Sequence, residues 1–178
     1  MKTPFEHFKT DTSVVQIEEN LYEGNLSDRW SIGKTPNGGY TMALAAKAIS
    51  ESLNHNDPLV ITANYLNRLN FGKVLVTVEV LPFTKSLSSA RATILQDDEI
   101  KVIFTATFTD FLKSKGLNKS FRQVPAFVDY EDCIFHPFKE GFNPGLEKFI
   151  EKKYCPDSVW WEEKKKDKPN KATLNLYM

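Results

Sequence analysis

The chain has 178 residues, 41% of them hydrophobic, and its 23 Lys plus Arg are matched by 23 Asp plus Glu. That is one domain, or one domain and part of another, with enough apolar side chains for a core. The charge balance supplies no field that would draw it to nucleic acid or an anionic membrane. No apolar run reaches the roughly eighteen residues that a bilayer span needs, and the opening MKTPFEHFKTDT lacks the apolar centre of a signal peptide. Cys133 and Cys155, the only cysteines, form no CxxC. They read as unpaired thiols rather than a disulfide, which makes the cytoplasm the expected compartment.

Residues 1–12 read as a loose or docking N-terminus. Val14–Glu18 and Leu21–Leu26 have strand composition, broken at Asn20, and Trp30 and Ile32 lead through Gly33 to the most distinctive stretch, PNGGYTMALAAKAISESL at 36–53. Asn37 is a good helix N-cap, its side-chain oxygen able to accept a backbone N–H one turn on. Gly38 and Gly39 leave the helix mouth bare of side chains. Met42, Ala46, Ile49 and Leu53 recur at helical spacing, and Leu44 and Ala48 widen the apolar face, which predicts a buried central helix over 39–53. It would be about 22 Å long. Asn54 and Asp57-Pro58 stop it.

Four alternating, β-branched segments follow at 59–65, 74–80, 87–95 and 100–108, linked by the short connections 70–72, 82–85 and 96–99. Connections this short cannot carry parallel crossovers, so neighbouring strands are expected to be antiparallel. One buried helix with an antiparallel sheet curved around it is an α+β layout. After Phe111 the texture changes. Residues 112–145 combine three prolines with six scattered aromatics and read as a connecting segment that packs on something. Leu146, Phe149, Ile150 and Tyr154 fit helical spacing better than strand spacing. Residues 162–171 read as a solvated charged loop, and Trp160-Trp161 as cover for apolar surface or for a partner rather than a nucleic-acid stack. Residues 172–178 alternate like a strand.

Three blocks, PNGGYTMALAAKAI (36–49), DPLVITANYLNRLNFGKVLVTVEVL (57–81) and KSLSSARATILQDDEIKVIFTATF (85–108), together resemble the N-terminal half of acyl-CoA thioesterases of the thioesterase II type. That family folds as two hotdog domains in one chain, each a sheet wrapped around a long helix. The resemblance implies a hotdog domain at 1–111, a connecting segment at 112–145, and the opening strands of an incomplete second hotdog at 146–178. It also implies pairing with another hotdog, as a homodimer or within a longer chain.

Thioester hydrolysis needs a polarised carbonyl and an oriented water. Backbone N–H groups at a helix start can polarise a carbonyl where oxyanion charge develops. Asn37, Gly38 and Gly39 are therefore the candidate catalytic group, with Tyr40 as a further donor on the substrate side. The alternative is that the two glycines only let helix and sheet approach closely. The second requirement, a carboxylate, is poorly met: Asn37 cannot take a proton, Asp28 lies upstream and Asp57 lies at the far end of the helix. The family places its catalytic Asp, with Thr and Gln positions, around the second hotdog's helix, and nothing in this sequence matches them. Ser88 and Arg91, with Ser86 and Ser89, are candidate contacts for a substrate phosphate, or else ordinary turn formers. His7, His55 and His136 show no metal or triad spacing, so no metal and no cofactor are expected. The expectation is thus a hotdog protein that hydrolyses or binds fatty acyl-CoA thioesters. The alternatives are a non-catalytic acyl-CoA or acyl-chain binder, a hotdog hydratase or dehydratase, and a pairing module.

Overall fold

The computed structural model describes residues 3–159, apart from 118, 122, 124, 125 and 127, and the backbone of 176–177. The chain forms two compact units, one ending at Gly116 and one beginning at Leu117.

The first unit begins with a helix, where the sequence suggested a loose or docking terminus. In α1 (Pro4–Asp11) the Thr3 hydroxyl accepts from the Glu6 amide at 3.2 Å, and the Glu6 carboxylate accepts from the Thr3 amide at 2.6 Å. This reciprocal capping box sets the start of a helix too short to be stable alone. Phe8 meets Trp30 edge to face at 5.0 Å between ring centres. Strands β1 (Val14–Glu18) and β2 (Leu21–Leu26) follow, turning at Asn20 with φ 57. A small ladder of β3 (Ser31–Ile32) and β4 (Thr35–Pro36) leads into α2 (Gly38–Ser52).

Four long strands complete the unit: β5 (Asp57–Tyr65), β6 (Gly72–Val80), β7 (Ser88–Gln96) and β8 (Glu99–Thr109). The sheet runs β1-β2-β6-β7-β8-β5, and every pair is antiparallel. The tight β7–β8 hairpin turns at Asp97 and Asp98, both at positive φ (56 and 59), as its two-residue loop demands. Leu44, Ala45, Ala48 and Ile49 of α2 are fully buried, as are Val76, Ile94, Val102 and Phe104 on the strands that α2 packs against. A Cβ on Gly24 would lie 3.0 Å from Leu44, so glycine lets β2 approach the helix closely.

One sequence expectation fails. β5 and β6, which look like a hairpin joined at 70–72, are not neighbours. β5 sits at the edge beside β8, and residues 66–71 arch past β8 and β7 to reach β6. Crossing three strand spacings takes about 14 Å, within reach of six residues. The arch is anchored along its length. The Leu66 and Asn67 amides donate to the Lys101 carbonyl (2.9 and 3.1 Å), and the Thr35 hydroxyl donates to the Leu69 carbonyl (2.9 Å). The buried Gln96 amide accepts from Asn70 N at 2.8 Å and donates to Asn70 O at 3.1 Å.

The second unit is less regular. Its sheet runs β9 (Ile134–Phe135), β10 (Lys153–Tyr154) and β11 (Leu176–Tyr177) in the order β11-β10-β9, with short 3-10 turns at Tyr130–Asp132, Gly145–Phe149 and Pro156–Ser158. The helical spacing from Leu146 onward therefore yields a 3-10 turn and then a strand. Trp160, Trp161 and the segment 162–171 lie outside the described residues, as does most of the strand expected at the end of the chain.

Candidate functional site

The start of α2 faces a cavity of about 490 Å³ lined by Thr35, Pro36, Gly38, Thr41, Tyr65 and residues 66–69. Its walls follow from the topology: α2 supplies the floor, the end of β5 one side and the arch the rim. Asn37 caps the helix, its side-chain oxygen accepting from Gly39 N (2.8 Å) and Tyr40 N (3.2 Å). Two of the amides expected to meet a substrate are thus held by the protein itself. The Gly38 amide is left as the first-turn donor with no protein acceptor among the described residues, and Gly38 lines the cavity. The Gly38 carbonyl accepts twice, from the Tyr65 hydroxyl at 2.6 Å and the Thr41 hydroxyl at 2.8 Å. A Cβ on Gly38 would sit 3.0 Å from the Tyr65 hydroxyl, so the missing side chain here makes room for that ring.

The other sequence candidates lie elsewhere. Gly39 is exposed but does not line the cavity. The Tyr40 side chain points away from it and is buried. Its hydroxyl donates to Asp11 O (2.8 Å) and accepts from Ser27 N (3.0 Å), and its ring packs with Phe8 and Trp30. Burial pushes its pKa from 10.0 to about 12. Ser88, only 1% exposed, lies near the other end of α2 with its hydroxyl 2.6 Å from His55 Nδ1. Arg91 is exposed on β7, where its neighbours Ala90 and Ala92 are buried against the helix side, so it faces the outside of the sheet. Of the candidates, Gly38 therefore lies on the cavity wall and Asn37 caps the same helix start, while Ser88 and Arg91 lie apart from it.

Tyr65, Asn67, Arg68 and Leu69 were not anticipated from the sequence. Arg68 is exposed at the rim, where its guanidinium donates to the Lys34 carbonyl at 2.9 Å. The lining residues combine a free amide at the positive end of a helix, one guanidinium and the apolar surfaces of Pro36, Leu66 and Leu69. Among the described residues they include no carboxylate and no histidine. Such a set can polarise a carbonyl and attract an anion, but it contains no group that would take a proton from water.

Comparison with known proteins bears on the first unit. Residues 26–109 match the family model of the acyl-CoA thioesterase N-terminal domain. The thioesterase-like protein TwmA of Talaromyces wortmannii is 33% identical over 92 residues, which is 50% of this chain and 26% of that protein. Among solved structures, one assigned as a thioesterase II from Thermobifida fusca superposes with a TM-score of 0.78 at 20% identity, covering 88% of this chain and 58% of the other. A hot dog fold protein from Alicyclobacillus acidocaldarius gives 0.72 at 17% identity, covering 84% and 55%. The architecture is the hotdog fold. More narrowly, it is over residues 26–109 that the chain resembles the acyl-CoA thioesterase N-terminal domain. The chain spans about a quarter of the curated relative and a little over half of these two solved structures.

Proposed function

We propose that this is a cytoplasmic acyl-CoA thioesterase-like protein whose first unit receives the thioester end of a fatty acyl-CoA in the cavity at the start of α2. The observation that carries this reading is the cavity itself. It joins the unpartnered Gly38 amide to an apolar wall and to one exposed cation, Arg68, in a domain of thioesterase type. In this reading the thioester oxygen accepts from Gly38 N–H, the acyl chain lies along Pro36, Leu66 and Leu69, and Arg68 attracts the phosphates of coenzyme A.

A second reading has a specific observation in its favour. Because no lining side chain can activate water, this domain by itself fits a binder, and hydrolysis would draw its acid from elsewhere. The source we favour is a paired hotdog. β5 is an open sheet edge with Leu59, Val60 and Tyr65 exposed, the kind of edge that another strand or copy covers. Residues 1–111 as a hotdog, 112–145 as a connector and 146–178 as the opening of a second hotdog is the domain plan that goes with it.

The test is a panel of acyl-CoAs assayed for free coenzyme A with a thiol reagent, beside equilibrium binding. Turnover supports the thioesterase, and saturable binding without turnover selects the binder. Arg68→Glu is expected to weaken binding by about tenfold, through reversal of one charge near a polyanion. Wild-type protein that shows neither turnover nor binding would remove the cavity as an acyl-CoA site.

A further inference from the structure

Cys133 immediately precedes β9 and Cys155 immediately follows β10. The pairs Lys153↔Phe135 and Tyr154↔Ile134, carried one step further, set the two cysteines opposite each other. His136 N donates to Lys152 O at 2.9 Å, which marks that pair as a hydrogen-bonded one. Pairs along an antiparallel ladder alternate, so the cysteine pair falls three steps on at a non-hydrogen-bonded position. There the Cα atoms approach to about 4.5 Å, inside the range that a disulfide tolerates. Both side chains are buried, at 7% and 3% exposure, and the sulfurs are unbonded at 3.9 Å. Closing that gap to a bond of about 2.05 Å asks for a modest rotation of the side chains and no strand movement.

We propose that Cys133 and Cys155 form a redox-responsive dithiol that hydrogen peroxide closes into an intramolecular disulfide joining β9 to β10. One thiolate attacks the peroxide and becomes a sulfenic acid, releasing the first water. The second sulfur then displaces the sulfenic oxygen as the second water. Two thiols lose two protons and two electrons, and one peroxide is reduced to two waters. Burial first, and then the neighbouring Cys155 sulfur, push the Cys133 thiol above its ordinary value. Thiolate is therefore scarce at neutral pH, and closure accelerates as pH rises. The bond would close a loop spanning 22 positions that holds one 3-10 turn and no long strand.

These are the only cysteines in the chain, so thiol counting is unambiguous. Full-length native protein is treated with peroxide and then unfolded for thiol titration and intact mass. The expected result is a fall from two thiols to none, a mass loss of two hydrogens, a monomeric band without reductant, and recovery with dithiothreitol. Cleavage between β9 and β10 by a protease should slow by about tenfold or more, since a disulfide across a loop of this size resists opening. Cys155→Ser should stop at a Cys133 sulfenic acid that a dione reagent traps. Two surviving thiols, oxygen added to one cysteine of the wild-type protein, or a bond formed only between chains would overturn the proposal. So would unchanged proteolysis of protein shown to be oxidised.

Discussion

At its start α2 meets the Tyr65 hydroxyl and the arch at 66–69; at its end it runs towards His55 and Ser88. Both ends carry hydroxyls and charged or basic neighbours, about 22 Å apart along the helix. At the far end the polar groups satisfy one another. The Lys85 carbonyl can only accept, so His55 Nε2 carries a proton at 3.3 Å, and in the neutral ring Nδ1 then accepts from the buried Ser88 hydroxyl. Tyr22 and Ser52 pair there as well, at 2.7 Å. At the near end an amide is left over and a cavity lies beside it. A polar cluster becomes a candidate site where the covering chain stands off from it, and here the arch between β5 and β6 does so.

The largest expected effect tests what the two ends share. Leu44 lies midway along α2, fully buried and in contact range of Gly24. Leu44→Ala should cost about 2–5 kcal/mol through the cavity it leaves, read as a lowered denaturant midpoint at unchanged slope. Binding by the molecules that remain folded should keep its affinity, because the residue touches neither end.

Next comes the buried side of the first turn. Tyr40 has its pKa raised to about 12 in the folded protein against an ordinary 10.0. The unfolded chain gives up that proton first, so the stabilisation is complete below pH 10 and is lost as pH rises towards 12. Over that window the loss should be on the order of 2 kcal/mol. Tyr40→Phe should flatten this part of the pH–stability curve while leaving acyl-CoA binding alone. A variant that binds poorly although folded would return Tyr40 to the substrate side.

Most of the fold was legible because each element announces itself locally. Asn20 breaks β1 from β2, Asn37 caps α2, and the strands alternate within one or two residues of where they lie. Of the cavity's lining, the sequence pointed to Gly38 alone. The arch has the length and composition of a hairpin loop, and pairing β5 with β8 rather than β6 is a tertiary choice that no local pattern encodes. Tyr65, Arg68 and Leu69 were hidden for that reason. Period-two alternation could have set Arg91 on the face opposite Ala90 and Ala92. The serines opening β7 gave a false signal, since Ser88 points inward to His55.

Two substitutions of similar cost should then separate the ends. Asn37→Ala removes the cap from two amides and should cost about 1 kcal/mol. It bares Gly39 N and Tyr40 N, neither of which lines the cavity, so acyl-CoA affinity should hold. Asn37→Asp keeps the cap but sets a negative charge next to Gly38 at the helix start, and should weaken binding several-fold. Ser88→Ala should likewise cost about 1 kcal/mol, by leaving His55 Nδ1 without its donor, with no change in affinity. Equal binding losses for Asn37→Asp and Ser88→Ala would erase the distinction between the ends.

The smallest effect isolates the contact that shapes the near end. Tyr65→Phe removes one of two hydroxyl donors to the Gly38 carbonyl, and Thr41 still donates at 2.8 Å, so the loss should stay within about 0.5 kcal/mol. Gly38→Ala puts a Cβ 3.0 Å from the Tyr65 hydroxyl and 3.1 Å from the ring carbon that bears it. The half-exposed ring can yield, but its hydrogen bond breaks as it does so. Each single change therefore removes the same bond, and the double variant should cost less than the sum of the two, by about 0.5 kcal/mol. Strict additivity in urea unfolding would mean that the ring and the helix mouth are independent. In that case the cavity wall would owe nothing to Tyr65.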